Sequence, residues 1–218
     1  MTELAVPGRL PSGATAEGDG IVIGQGPVRV DAFIDFLCPY CRQFELAADS
    51  TLARLVADGQ ISLVYHPMNF LDEASTTNYS TRAAAASGCA ADGGRFAEYA
   101  HALFVSQPPE GGPGLSDADL ASIGQNVGLA GTAFTACLSD APYLGWPQYV
   151  TARATELGVE ATPTVLVDGT AVRADPRSIV AAVADAADGR LPRARSVRAW
   201  CRSRLRGRRR GRWHEVVR

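Results

Sequence analysis

The feature that most narrows the folds open to this chain is a pair of cysteines three apart, Cys38-Pro39-Tyr40-Cys41, at the junction of a strand pattern and a helix pattern. Upstream, Val28–Phe36 is dominated by apolar and β-branched residues, follows glycines, and reads as a strand. Downstream, Pro39 suits a first helical turn, where its fixed φ fits. Phe44, Ala48, Leu52 and Leu55 continue that helix as an apolar stripe to about Ala57, and Asp58-Gly59 ends it. Two thiols at i and i+3 on a first turn can close a disulfide. Cys38 stands at the helix N-terminus, where unpaired N–H groups and the dipole favour negative charge. Its pKa is therefore expected below the free value of about 8.5. Cys38 is the expected nucleophile, and Cys41, one turn inside, the thiol that resolves a mixed disulfide.

Two plainer readings stand beside this one: a structural zinc half-site and a pair of inert thiols. Zinc needs two more ligands, and none of the three histidines, His66, His101 and His214, has ligand spacing to another cysteine pair. No metal and no organic cofactor are expected. His66 reads as a strand-end residue and His101 as an exposed helix residue.

Around the motif, Gly20–Gly24 reads as a short strand and Ile61–Tyr65 as another, closed by His66-Pro67. Residues 74–157 read as a helical block. Ser80–Val105 is expected as one long helix, and Gln107–Leu115 as a loop. Ser116 caps the next helix with Asp119 three residues on, a capping-box variant. Short helices are expected near Gly131–Leu138 and Pro147–Leu157. Pro163–Val167, the Asp168-Gly169 turn and Thr170–Arg173 form a hairpin signal, and Pro176–Ala187 a closing helix. Pro163 by itself reads as a strand-opening proline. A β-α-β unit followed by a hairpin and a helix predicts an α/β chain with a mixed sheet and helices on both faces.

The stretches DFLCPYCRQFE (Asp35–Glu45) and GVEATPTVLVDG (Gly158–Gly169) resemble the two signature segments of DsbA-like thioredoxin-fold oxidoreductases, most closely bacterial protein-disulfide isomerase-like members. The likeness spans about Ile21 to Asp188. It implies a thioredoxin fold with an inserted helical domain: a core in residues 21–73 and 158–189, with residues 74–157 inserted. It implies Cys38 as nucleophile, Cys41 as resolver, Pro163 as a cis-proline, and substrate contacts at Pro39, Tyr40, Thr162 and Pro163. It further implies that the backbone at Thr162 pairs with a substrate strand. The partners implied are cysteine-containing proteins and a redox partner, either a thiol or a membrane oxidase. The likeness also raises a Cys89–Cys137 disulfide in the insert, against two buried core thiols. In one respect the chain departs from the pattern. The family's buried acid lies six residues before the first cysteine, where this chain has Ala32, and the nearby Asp35 is expected at the surface or rim.

Charge divides the chain unevenly. Residues 190–218 hold twelve arginines and one acid, leaving −13 on residues 1–189 of a chain whose net charge is −2. All 21 cations are arginine, which points to coding bias. The basic stretch, with Cys201, Trp200 and Trp213, reads as a disordered solvated tail, with contact to nucleic acid, to an anionic membrane or to the acidic body of the chain as its rivals. Residues 1–20 read as a flexible segment. They lack a basic start followed by an apolar run, and no stretch approaches the roughly 18–20 apolar residues of a membrane span. A cytoplasmic monomer is expected, or an extracytoplasmic one if a leader is missing.

The direction of electron flow is open at this level. Pro-Tyr between the cysteines also occurs in glutaredoxins, whose potentials lie near −200 to −230 mV against about −120 mV for DsbA. The alternatives are therefore a glutaredoxin-like reductase of small-thiol mixed disulfides and a peptide-binding module without redox turnover.

Overall fold

The computed structural model describes residues 5–191. The arginine-rich stretch beyond Leu191, with Trp200, Cys201, Trp213 and His214, lies outside the described residues.

Among the described residues five strands form one sheet in the order β1-β3-β2-β4-β5: β1 Ile21–Ile23, β2 Val28–Ile34, β3 Ile61–Pro67, β4 Thr164–Val167 and β5 Thr170–Val172. Strands β2 and β3 run parallel, and the other pairings are antiparallel. A parallel pair cannot be joined by a tight turn, and here α1 (Pro39–Ala57) makes the crossover. Helix α1 buries Phe44, Ala48, Leu52 and Leu55, with Phe or Leu burial contributing about 1.5–3 kcal/mol each. Strands β4 and β5 are joined by Asp168 and Gly169, at φ 43° and 76°, the left-handed pair that a two-residue hairpin requires. Helix α7 (Pro176–Ala187) follows, its first turn capped by the Asp175 carboxylate, which accepts from the Ser178 N–H.

Between β3 and β4 lies the helical insert: a 3₁₀ turn at Asp72–Ala74, then α2 (Tyr79–Asp92), α3 (Phe96–Val105), α4 (Asp117–Asn126), α5 (Thr132–Asp140) and α6 (Trp146–Glu156). The Ser116–Asp119 capping box is formed in both directions. The long helix expected over Ser80–Val105 is broken in two. Gly94 sits at φ +68°, and a Cβ at Gly93 would lie 2.3 Å from Leu129 Cδ2. The N–H groups of Gly94 and Arg95 turn back to the carbonyls of Ala91 and Ala90, so the glycine pair closes α2 as a left-handed cap. Strand β3 also runs two residues past Tyr65, because His66 and Pro67 continue the register against Phe33 and Ile34.

The segment before β1, expected to be flexible, is held by hydrogen bonds over residues 12–19. The Ser12 N–H and hydroxyl donate to Asp92 at 2.9 and 2.8 Å. Trp146 Nε1 donates to the Gly18 carbonyl at 2.8 Å, and the Tyr149 hydroxyl to Glu17 at 2.7 Å. His66 is buried, stacked on Phe33, with Nε2 2.9 Å from Asp31 and Nδ1 2.7 Å from the Asp19 carbonyl. Burial alone drives the Asp31 pKa up. Hydrogen bonds from His66 and Arg29 outweigh it and hold the carboxyl below its ordinary range. No described helix is long and apolar enough to cross a membrane.

Candidate active site

Strand β2 ends at Ile34, and the next three residues deliver Cys38 to the N-cap of α1 at φ −71°, ψ 118°. Pro39 then opens the helix. Both Cys38 and Cys41 are free thiols, 5% and 0% exposed. Their environments push them apart. The hydrogen bond from the Cys41 thiol is the largest influence on Cys38; with support from Thr162 and the N–H groups of Cys41 and Tyr40, it outweighs burial and lowers the Cys38 pKa to about 6. Burial, reinforced by Cys38, pushes Cys41 well above its ordinary value. One sulfur is prepared as a thiolate and the other is kept as a thiol.

The antiparallel register pairs Phe33 with Thr164. This brings the residues just before β4 beside the mouth of α1. The Thr162–Pro163 peptide is cis, and the Thr162 carbonyl lies 3.5 Å from Cys38 Sγ. An open groove of about 680 Å³ runs along this side, lined among others by Cys38, Tyr40, Phe70, Leu71 and Thr162. Pro39 belongs to that lining, and Pro163, expected there, does not. Tyr40 is 68% exposed at the rim.

Asp35 departs from expectation: it is fully buried rather than at a rim. Strand alternation stops at Ile34, and the chain then turns under the insert. Its carboxylate accepts from the N–H groups of Leu37 (2.8 Å) and Leu71 (2.9 Å) and from the Ser80 hydroxyl (2.7 Å). Its own N–H points at Cys41 Sγ, 3.4 Å away. Burial pushes the Asp35 pKa up to about 6 against those three donors, with the charge of Cys38 adding to the rise. Ala32, where the resemblance led to an acid, is buried and apolar.

The insert grips the cysteine loop elsewhere too. Gln107 Nε2 donates to the carbonyls of Phe36 (2.9 Å) and Cys38 (3.0 Å). Arg42 Nε donates to the Phe104 carbonyl at 3.0 Å, and the Phe36 and Phe104 rings lie 5.0 Å apart. Ser80, Leu71 and Gln107 escaped sequence reasoning because their roles are hydrogen bonds across 36–71 residues, which no local pattern records.

One turn beyond Cys41, Glu45 is buried and accepts from the Tyr65 hydroxyl at 3.3 Å. Burial, then the charge of Asp49, pushes its pKa up to about 7. His101 Nδ1 lies 3.6 Å from Glu45 and 3.7 Å from Asp49. Among the described residues these three come nearest to a metal-ligand set. In the insert, Cys89 and Cys137 are joined by a disulfide linking α2 to α5.

A family model described as Thioredoxin matches residues 16–185. The serine/threonine-protein kinase PknE of Mycobacterium tuberculosis is 39% identical over 166 residues, which are 71% of this chain and 29% of that protein. The chain therefore spans less than a third of the length of the curated relatives it matches. Among solved structures, reduced DsbA from Mycobacterium tuberculosis superposes with a TM-score of 0.68 at 31% identity, covering 80% of this chain and 94% of that one. The reduced disulfide bond oxidoreductase DsbG from the same organism gives 0.68 at 32%, covering 80% and 90%. MdbA of Actinomyces oris, a thiol-disulfide oxidoreductase, gives 0.65 at 19%, covering 82% and 91%, and speaks for the fold alone.

Proposed function

This chain belongs to the thioredoxin family, among its DsbA-like thiol–disulfide oxidoreductases, and from that premise we propose that Cys38 and Cys41 exchange disulfides with cysteine-containing proteins. The observation that carries the reading is the placement of Cys38 Sγ, at the mouth of α1 and 3.5 Å from the Thr162 carbonyl beside a cis-proline. A sulfur titrating at about 6 is some tenfold more often thiolate than thiol at pH 7.

In the reductive direction, the Cys38 thiolate attacks one sulfur of a substrate disulfide. The substrate S–S bond breaks, its second sulfur leaves as a thiolate, and Cys38 is held in a mixed disulfide. Cys41 then gives up its proton, attacks Cys38 Sγ and frees the substrate thiol. The Cys38–Cys41 disulfide is the product on the protein. The oxidative direction is the same sequence reversed, and the reduction potential of the pair against that of its surroundings sets which direction it runs. The backbone at Thr162 lies outside the sheet ladder, which ends at Thr164, and is free to align an extended substrate. Pro39 and Tyr40 line the same groove. Under the same reading the chain works in an oxidising compartment, where a bond such as Cys89–Cys137 persists.

The test is insulin reduction and scrambled-ribonuclease refolding with Cys38→Ser. Loss of activity to background is expected, with Cys41→Ser accumulating mixed disulfides. Full activity in Cys38→Ser would end the proposal.

A further inference from the structure

We infer that the groove beside Cys38 selects cysteine peptides with positively charged flanks. The inference rests on the thiol-exchange reading and specifies its substrate class. Among the described residues the groove has two charged side chains in its lining, Glu110 and Glu160, and both are acids. They come from separate segments of the chain. Glu160 precedes Thr162 on the stretch leading to the cis peptide, and Glu110 sits in the insert loop that Gln107 pins to the Phe36 and Cys38 carbonyls. Both are exposed, and neither is ion-paired to another described residue.

The nearest arginine in sequence, Arg42, turns its guanidinium to the Phe104 carbonyl and lines no part of the groove. The Cys38 thiolate, in the same lining, adds a third negative charge. An incoming peptide therefore meets an acidic rim with aromatic surface at Tyr40 and Phe70, 68% and 37% exposed. That combination matches an unfolded segment with arginine or lysine near its cysteine. It disfavours anionic small thiols such as glutathione, which carries two carboxylates against one ammonium. Charges at a groove rim act mainly on the rate of encounter, and salt screens them.

The experiment uses the reduced full-length chain and three peptides identical except for the residues two positions either side of their single cysteine: Arg, Ser or Glu. Each cysteine carries a 2-pyridyl disulfide. The Cys38 thiolate attacks the peptide sulfur, the S–S bond breaks and pyridine-2-thione leaves. Cys41 then loses its proton to the departing peptide thiolate and closes the protein disulfide. Release of the thione, followed by stopped-flow absorbance, gives the second-order rate constant.

At low salt the Arg peptide is expected to react about five-fold faster than the Glu peptide, with the Ser peptide between them. High salt closes the gap, and E110Q/E160Q brings the charged peptides within about two-fold of one another. Equal rates for the Arg and Glu peptides at low salt, or a ranking that survives E110Q/E160Q, overturns the inference while leaving thiol exchange intact. Failure of the Ser peptide to react at all overturns the thiol-exchange reading itself.

Discussion

Cys38 and Asp35 both titrate at about 6, and the charge of each disfavours the charge of the other. Their effects on stability have opposite sign. The Cys38 pKa is depressed, so the dithiol protein gains stability as pH rises from about 6 towards the unfolded value near 8.5, and loses it as pH falls back through 6. The Asp35 pKa is raised, so its ionisation weakens the fold as pH climbs from about 4 through 6. The disulfide form lacks the Cys38 contribution. The melting temperature of the dithiol form should therefore rise relative to the disulfide form between pH 6 and 8.5. In Asp35→Asn the onset of that rise should move below pH 6, because a negative charge beside the thiolate is gone. The variant should also lose about 1–3 kcal/mol, since an amide nitrogen would face the Leu71 N–H without accepting from it. An onset that does not move sinks the coupling between the two groups. The sequence left Asp35 obscure for a definite reason. The period-two rule places side chains only while a strand lasts, and β2 ends one residue earlier.

At the scale of elements, boundaries were legible where backbone chemistry marks them. Helix α1 runs from Pro39 to Ala57 because proline can open a helix and Asp58-Gly59 closes one. The Ser116 capping box reads as local chemistry and forms as such. The break between α2 and α3 was missed although Gly93-Gly94 lies in plain sight. An apolar stripe continued across it, and the deciding contact is with Leu129, 36 residues away in sequence. The hold of the insert on the cysteine loop was likewise hidden, since Gln107 shows only a polar residue opening a proline-rich loop. Gln107→Ala removes the donor to the Phe36 and Cys38 carbonyls and should cost about 1–2 kcal/mol of stability. Hydrogen exchange should then quicken over residues 35–38 more than in β3. Uniform quickening, or none, would show that the insert does not brace the loop.

For the molecule as a whole, order of elements carried the α/β class: strand, helix, strand, helical block, hairpin and helix have few arrangements that keep connections short. What order could not carry was how the insert is tied. The Cys89–Cys137 bond closes a loop of 48 residues, for which chain entropy in the unfolded state corresponds to about 4 kcal/mol. Replacing both cysteines by alanine should lower unfolding stability by about 2–4 kcal/mol while insulin reduction persists; an equally stable variant would place the tie elsewhere.

The reactive centre joins positions 124 residues apart, Cys38 and Thr162. A ribosome builds the nucleophile first, then every helix of the insert, and only afterwards the wall that limits what reaches it. Until then the chain exposes an unguarded pair of sulfurs to Cys89, which emerges before its own mate, Cys137. A bond from Cys89 to either of those sulfurs, once made, must be undone before Cys89 can join Cys137.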